Sequence, residues 1–203
     1  MPEDMGLFEA IYTTRAIRKF RSDPIPSALL RRVLDAATQG PSGRNNQPWR
    51  FIIVRDPEQK RKVARIYEDG FFENRGRAAA ENADKDPSAY LALHMDEAPV
   101  IVVVCTTVIR RPGLGTVTPF ASSYPSVQNL LLAARALGLG GTITTNHMLR
   151  YEELMAALGV PEDRQIIALV PLGFPAESHG PKTRMSVEEI AFADTWDEPI
   201  VFD

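Results

Sequence analysis

Cysteine is nearly absent from the 203-residue chain, where Cys105 stands alone. One thiol can form neither an intrachain disulfide nor a cysteine metal cluster, so the fold must rest on its hydrophobic core. Histidine is almost as scarce: His94, His147 and His179 are the full set, and no two share the spacing of metal ligands. The chain has no HExxH, GxSxG or GxxxxGK(S/T) pattern, and Gly138, Gly140 and Gly141 do not make a GxGxxG turn after a strand. A zinc hydrolase, a nucleophile elbow, a P-loop and a nicotinamide Rossmann site are therefore unsupported. No apolar run approaches the roughly 20 residues of a membrane span, and the first residues, with early acids, lack the apolar core of a secretory signal. Lys plus Arg is 23 against 26 Asp plus Glu, a net charge of −3 that gives no global attraction to nucleic acid. The composition, 44% hydrophobic and 24% charged, is that of an ordinary globular chain. The expectation is one cytoplasmic domain over residues 1–203, with no nucleic-acid or membrane partner and no metal.

Hydrophobic periodicity divides the chain. Residues 6–14 carry Leu7, Phe8, Ile11 and Tyr12 on one helical face. A cationic knot follows, with Arg15, Arg18, Lys19 and Arg21 in seven positions, and Pro26-Ser27 starts a second helix with Leu30, Val33, Leu34 and Ala37 on one side. Residues 39–48 form a loop rich in amides and hydroxyls, suited to a polar ligand. A strand is expected at 49–54 and an amphipathic helix at 57–68. Over 69–87 the apolar period fails, and this excursion is the expected lid. A short helix at 88–95 leads to residues 100–105, whose unbroken β-branched run marks a strand covered on both faces. Residues 110–118 read as a loop and 123–137 as the longest, most buried helix, ended by Gly138-Leu139-Gly140-Gly141. A short strand at 142–145, a helix at 151–158 and a buried strand at 165–172 complete the pattern. Residues 179–203 form a polar extension with a short helix near Val187 to Ile190.

No acid, base or nucleophile stands out, and Cys105 lies in a buried-strand pattern where a thiol is inert packing. What remains is cationic and amide-rich. Arg15 and Arg18 are three residues apart, and Lys182 and Arg184 share one side of an extended segment because side chains alternate there. Together they have the charge to neutralise a phosphate dianion, the guanidinium by bidentate bonds and the ammonium as a point charge. The alternative for either cluster is a solvated surface.

Four segments in order carry a resemblance. They are Arg15-Ala16-Ile17-Arg18-Lys19-Phe20, then Pro41-Ser42-Gly43-Arg44-Asn45-Asn46-Gln47-Pro48-Trp49-Arg50-Phe51, then Gln128-Asn129-Leu130-Leu131-Leu132-Ala133-Ala134 with Gly138-Leu139-Gly140-Gly141, and finally Lys182-Thr183-Arg184. In this order and spacing, over roughly Leu7 to Val187, the chain resembles the FMN-dependent nitroreductase family. The segments from Ser88 to Cys105 and from Phe120 to Met148 look most like its actinobacterial members. The resemblance implies an α+β sandwich with a central, mostly antiparallel sheet flanked by helices. It also implies a homodimer with FMN at composite interface sites and the C-terminal extension wrapped over the partner.

Carried over residue by residue, the resemblance puts Arg15 and the backbone of Ala16 at the ribityl phosphate and Arg18 at flavin N1 and the C2 carbonyl. Pro41, Ser42, Gly43, Asn45 and Gln47 would come from the other subunit to line the ring. Ile143, Thr144 and Thr145 would run along the flavin edge and offer backbone amides to O4 and N5, while Lys182 and Arg184 close on the phosphate. The chain departs from the family's frequent pair of arginines followed by serine, since Thr14, Arg15 and Ala16 stand there. The implied activity takes hydride from NAD(P)H at flavin N5 and passes electrons, by a ping-pong mechanism, to nitroaromatics, quinones or similar electrophiles. Reductive dehalogenation, enone or free-flavin reduction and flavin cleavage are alternatives on the same fold, and a non-catalytic FMN-binding protein is the alternative of another class.

Overall fold

The computed structural model describes residues 5–108 and 117–202. Among them run the helices α1 (Leu7–Thr13), α2 (Ser27–Ala37), α3 (Pro57–Arg75), α4 (Pro87–His94), α5 (Val117–Ala136) and α6 (Tyr151–Leu158). The strands are β1 (Arg50–Val54), β2 (Val100–Thr107), β3 (Gly140–Gly141) and β4 (Arg164–Gly173). They pair antiparallel in the order β1-β2-β4-β3. The architecture is the expected α+β sandwich.

The β2 run is buried along its length because it has helices on both sides. Ile101, Val103 and Cys105 face α3, α4 and α6, whereas Val100, Val102 and Val104 face α2 and α5, the period-two alternation of a strand. The pairing with β4 shifts between Val104, opposite Ala168, and Cys105, opposite Ile166. This bulge puts Ile167 and Ala168 together on the α2/α5 side and restores the alternation beyond them.

Three sequence boundaries move. Helix α3 begins where expected, with Pro57 in its first turn and the Asp56 carboxylate accepting from the Gln59 amide at 2.8 Å. It then runs through Asp69 to Arg75, because Phe71 and Phe72 are only 1% and 4% exposed and bury two further turns. The helix stops at Gly76, whose φ of +79° suits glycine. The excursion over 69–87 is therefore helix at its start and a 3-10 segment at Arg77–Asn82 beyond. Helix α5 starts at Val117, six residues before the expected 123, with Pro125 inside it. Of the loop expected at 110–118, residues 110–116 lie outside the described residues, and Val117 and Thr118 are helical. The strand expected at 142–145 is instead β3, two residues earlier, with Thr144 making a single bridge to Leu169.

The β3 edge organises the rest. Ile17 N donates to Gly141 O at 3.0 Å and Ala16 bridges Gly141 in parallel, so the cationic knot extends this edge of the sheet. The chain after β4 returns along the knot: Arg21 N donates to Phe174 O, Ala176 N to Lys19 O and Gly180 N to Thr13 O, at 2.9 to 3.1 Å. A ring nitrogen of His179 lies 3.1 Å from Leu139 O. No helix among the described residues is long and apolar enough to cross a membrane.

Candidate functional site

A cleft of about 230 Å³ opens where the knot, the segment after β3 and the buried face of α3 meet. It is lined by Arg18, Tyr67, Ser88, Leu91 and residues 142–146. The Arg18 backbone is fixed by its N–H, which donates to Glu177 Oε1 at 2.5 Å, with Lys19 N on the same oxygen at 3.2 Å. The Glu177 carboxylate thus holds the backbone of the knot. Among the described residues neither Arg15 nor Arg18 forms an ion pair, so both guanidinium groups are available to an anion.

The segment after β3 is held from both sides. Thr144 N donates to Leu169 O and its carbonyl accepts from Leu169 N, each at 3.0 Å. The Thr144 amide is therefore spent on the sheet, which corrects the expectation that it is offered to a ligand's ring edge; the side chain is what Thr144 presents. From α3, Tyr67 Oη lies 2.8 Å from Thr144 Oγ1, and Asn146 Nδ2 donates to Tyr67 Oη at 3.1 Å. Ile143 and Thr145, the other two residues expected along this edge, are exposed in the same segment.

Lys182 comes to the far end of the knot. Its ammonium donates to Ile11 O at 2.8 Å and Thr14 O at 2.6 Å, meeting carbonyls at the C-terminal end of α1. Burial, and next the nearby Arg184 guanidinium, lower the Lys182 pKa from its ordinary value. Arg184 is exposed and donates to Thr183 O at 2.8 Å. Lys182 thus sits at Thr14, next in the chain to Arg15, with Arg184 near Lys182.

The amide loop lies elsewhere. Pro41, Ser42, Gly43, Asn45 and Gln47 precede β1, at the sheet edge opposite β3, three strand spacings of about 4.8 Å away. Ser42 Oγ accepts from Gln47 N at 2.7 Å, and Gln47 Nε2 donates to Asn45 Oδ1 at 3.1 Å. Arg44, Asn45 and Gln47 have φ of 54°, 56° and 45°. Three non-glycine residues in left-handed conformation store strain of a kind found at ligand sites. Within one protomer, then, the loop and Arg18 do not meet.

Sequence reading missed Tyr67, Asn146, Ser88, Leu91 and Glu177. Tyr67 sits on an apolar helix face where an aromatic reads as core, and Glu177 reaches the knot across 159 residues, so neither leaves a local signal.

The nitroreductase family model matches residues 11–174. The chain belongs to the nitroreductase family. Relatives include a protein named NADH dehydrogenase from Thermus thermophilus, 31% identical, the match covering 87% of this chain and 90% of the relative. The 5,6-dimethylbenzimidazole synthase of Rhodospirillum rubrum is 33% identical, with 86% and 84% covered. Among solved structures, that of oxidised iodotyrosine deiodinase bound to FMN and 3-iodo-L-tyrosine superposes with a TM-score of 0.75 at 26% identity, covering 94% of this chain and all of that one.

Proposed function

We propose that this nitroreductase-family chain is an FMN-dependent oxidoreductase that takes hydride from NAD(P)H and passes electrons in a ping-pong cycle to a nitroaromatic, quinone or similar electrophile. The observation that carries this reading is the cleft lined by both Thr144 and Arg18, an arginine with no ion pair among the described residues, with Lys182 donating to Thr14 O next to Arg15. When bound, FMN supplies the hydride-accepting ring and the electron chemistry, which is why the chain needs no acid–base signature of its own.

The residues present suit the group. Arg18 would supply positive charge to the ring's N1 and C2 carbonyl side and would favour the reduced, more negative form. Arg15, the Ala16 backbone, Lys182 and Arg184 would hold the phosphate. Pro41, Ser42, Gly43, Asn45 and Gln47 line the ring from the second copy of a homodimer, since their own protomer carries them on the opposite sheet edge. Ile143, Thr144 and Thr145 border the ring on the β3 side. Residues 76–86 are the part of the expected lid that lies between α3 and α4.

The likeness to iodotyrosine deiodinase supports reductive dehalogenation as a second reading of the same site, and the dimethylbenzimidazole synthase likewise supports flavin cleavage. The test is the visible spectrum of the purified protein. Flavin bands that NADPH or NADH bleaches without oxygen, and that an added nitroaromatic or quinone restores, are expected. A colourless protein that takes up no FMN overturns the reading, and a yellow one that neither nicotinamide bleaches supports the non-catalytic binder.

A further inference from the structure

Tyr67, Asn146 and Thr144 form a closed set of hydrogen bonds at the wall of the cleft, and counting their protons fixes its direction. Asn146 Nδ2 donates to Tyr67 Oη at 3.1 Å and, more weakly, to Thr144 Oγ1 at 3.5 Å. The 2.8 Å contact between Tyr67 Oη and Thr144 Oγ1 must use the proton of one or the other. If Thr144 donated, the Tyr67 proton would be left over at a side chain only 1% exposed, with no further partner among the described residues. A buried donor without a partner is costly, whereas a hydroxyl lining a cleft can use a ligand or water. Both side chains line the cleft, but Tyr67 is buried and Thr144 only half-buried, so burial favours Tyr67 as the donor. Thr144 Oγ1 then accepts from both neighbours, and its own proton is the one left to point away from the set.

We propose that Tyr67, seated on α3 and supported by Asn146, is a positioning residue that commits Thr144 to act as a hydrogen-bond donor into the Arg18 cleft. The inference rests on the FMN reading and deepens it. A cleft walled by a guanidinium and a committed hydroxyl donor selects an acceptor edge, such as the carbonyl and unprotonated ring-nitrogen edge of oxidised flavin, and disfavours a ligand edge that must itself donate. The close contact of α3 with this turn fixes the arrangement: a Cβ at Gly70 would lie 2.8 Å from Asn146 O, so the absence of a side chain there lets the helix approach.

The experiment is a double-mutant cycle on FMN affinity and on the absorption maximum of protein-bound oxidised FMN. Thr144→Val removes the donor at nearly constant shape, Tyr67→Phe removes only its director, and Thr144→Ser keeps a hydroxyl. Thr144→Val is expected to weaken FMN binding about threefold to tenfold and to shift the flavin band, and Tyr67→Phe to do so less. Thr144→Ser should restore both, and the double variant Tyr67→Phe/Thr144→Val should match Thr144→Val alone, because Tyr67 acts through that hydroxyl. Asn146→Ala, which removes support without touching the Tyr67 ring, should move affinity and band in the same direction as Tyr67→Phe. Wild-type protein that binds FMN, with single effects that multiply in the double variant or with Tyr67→Phe at wild-type values, overturns this proposal alone. Wild-type protein that binds no FMN overturns it together with the reading it rests on.

Discussion

Arg18 separates a redox role from a binding role. If its guanidinium lies against the ring edge that becomes more negative on reduction, Arg18→Ala lowers the two-electron potential of bound FMN, each 30 mV standing for about 1.4 kcal/mol of lost differential stabilisation. A phosphate-only arginine changes affinity and leaves the potential alone. Redox titration of the FMN-saturated variant decides, and an unchanged potential ends the electrostatic assignment. His147 makes a different kind of prediction. It is fully buried, neither ring nitrogen has a partner in hydrogen-bond geometry among the described residues, and burial, offset only in part by the Ile166 backbone, lowers its pKa to about 4. Between about pH 6.5 and 4 the unfolded chain takes up a proton that the folded chain does not, so stability falls as pH drops through that window, by about 3 kcal/mol in all. Urea unfolding at pH 7, 5.5 and 4.5 should show this slope, and His147→Leu should flatten it; an equal slope in the variant would show that other groups carry it. Nothing in the sequence around His147 announces its burial, since Asn146, Met148 and Leu149 give no period. Arg15 and Arg18, by contrast, stand out in the sequence as two of four cations in seven positions, a pattern that a solvated surface also explains.

Among the elements, β3 is short and depends on its glycines. A Cβ at Gly140 would lie 2.5 Å from Ile17 Cγ1 and 2.9 Å from Ile17 Cβ. Ile17 is 1% exposed and has no free space to retreat into. Gly140→Ala should therefore destabilise the fold by about 1–3 kcal/mol and push the knot off the sheet edge, lowering FMN affinity as well. Thermal melts with an FMN titration test both parts, and a variant with wild-type melting and affinity would sink the account. The sequence pattern located nearly every element and misjudged ends where a local rule met a tertiary one. Helix α3 outruns its amphipathic period because Phe71 and Phe72 find a pocket that only the folded chain supplies. Helix α5 reaches back before the expected start at 123 because Pro119 and Ser122, ahead of the apolar period, are buried against the fold.

For the whole molecule the exposed apolar side chains are uneven. Leu7, Phe8 and Tyr12 of α1 and Met185, Val187, Ile190 and Trp196 of the extension are all more than half exposed, Trp196 at 81%. The extension is tied to its own protomer as far as Lys182, through Gly180 N and the Lys182 ammonium, and its apolar residues follow that anchor. A second copy would cover both sets. Sedimentation should therefore give a dimer, truncation after Lys182 should give monomer, and the truncated chain should lose FMN; a stable flavin-loaded monomer would remove the composite site.

The placement of the amide loop and Arg18 on opposite sheet edges has a genetic consequence. In the proposed homodimer each protomer owns two halves of two different sites, so two kinds of inactive chain can repair one another. When Arg18→Ala chains are dissociated, mixed equally with Asn45→Ala chains and reassociated, half of the dimers are hybrids. Each hybrid pairs one site carrying both lesions with one carrying none. About a quarter of all sites should then return to full function from two preparations that are each impaired. Were both residues to serve a site within a single chain, mixing would restore nothing.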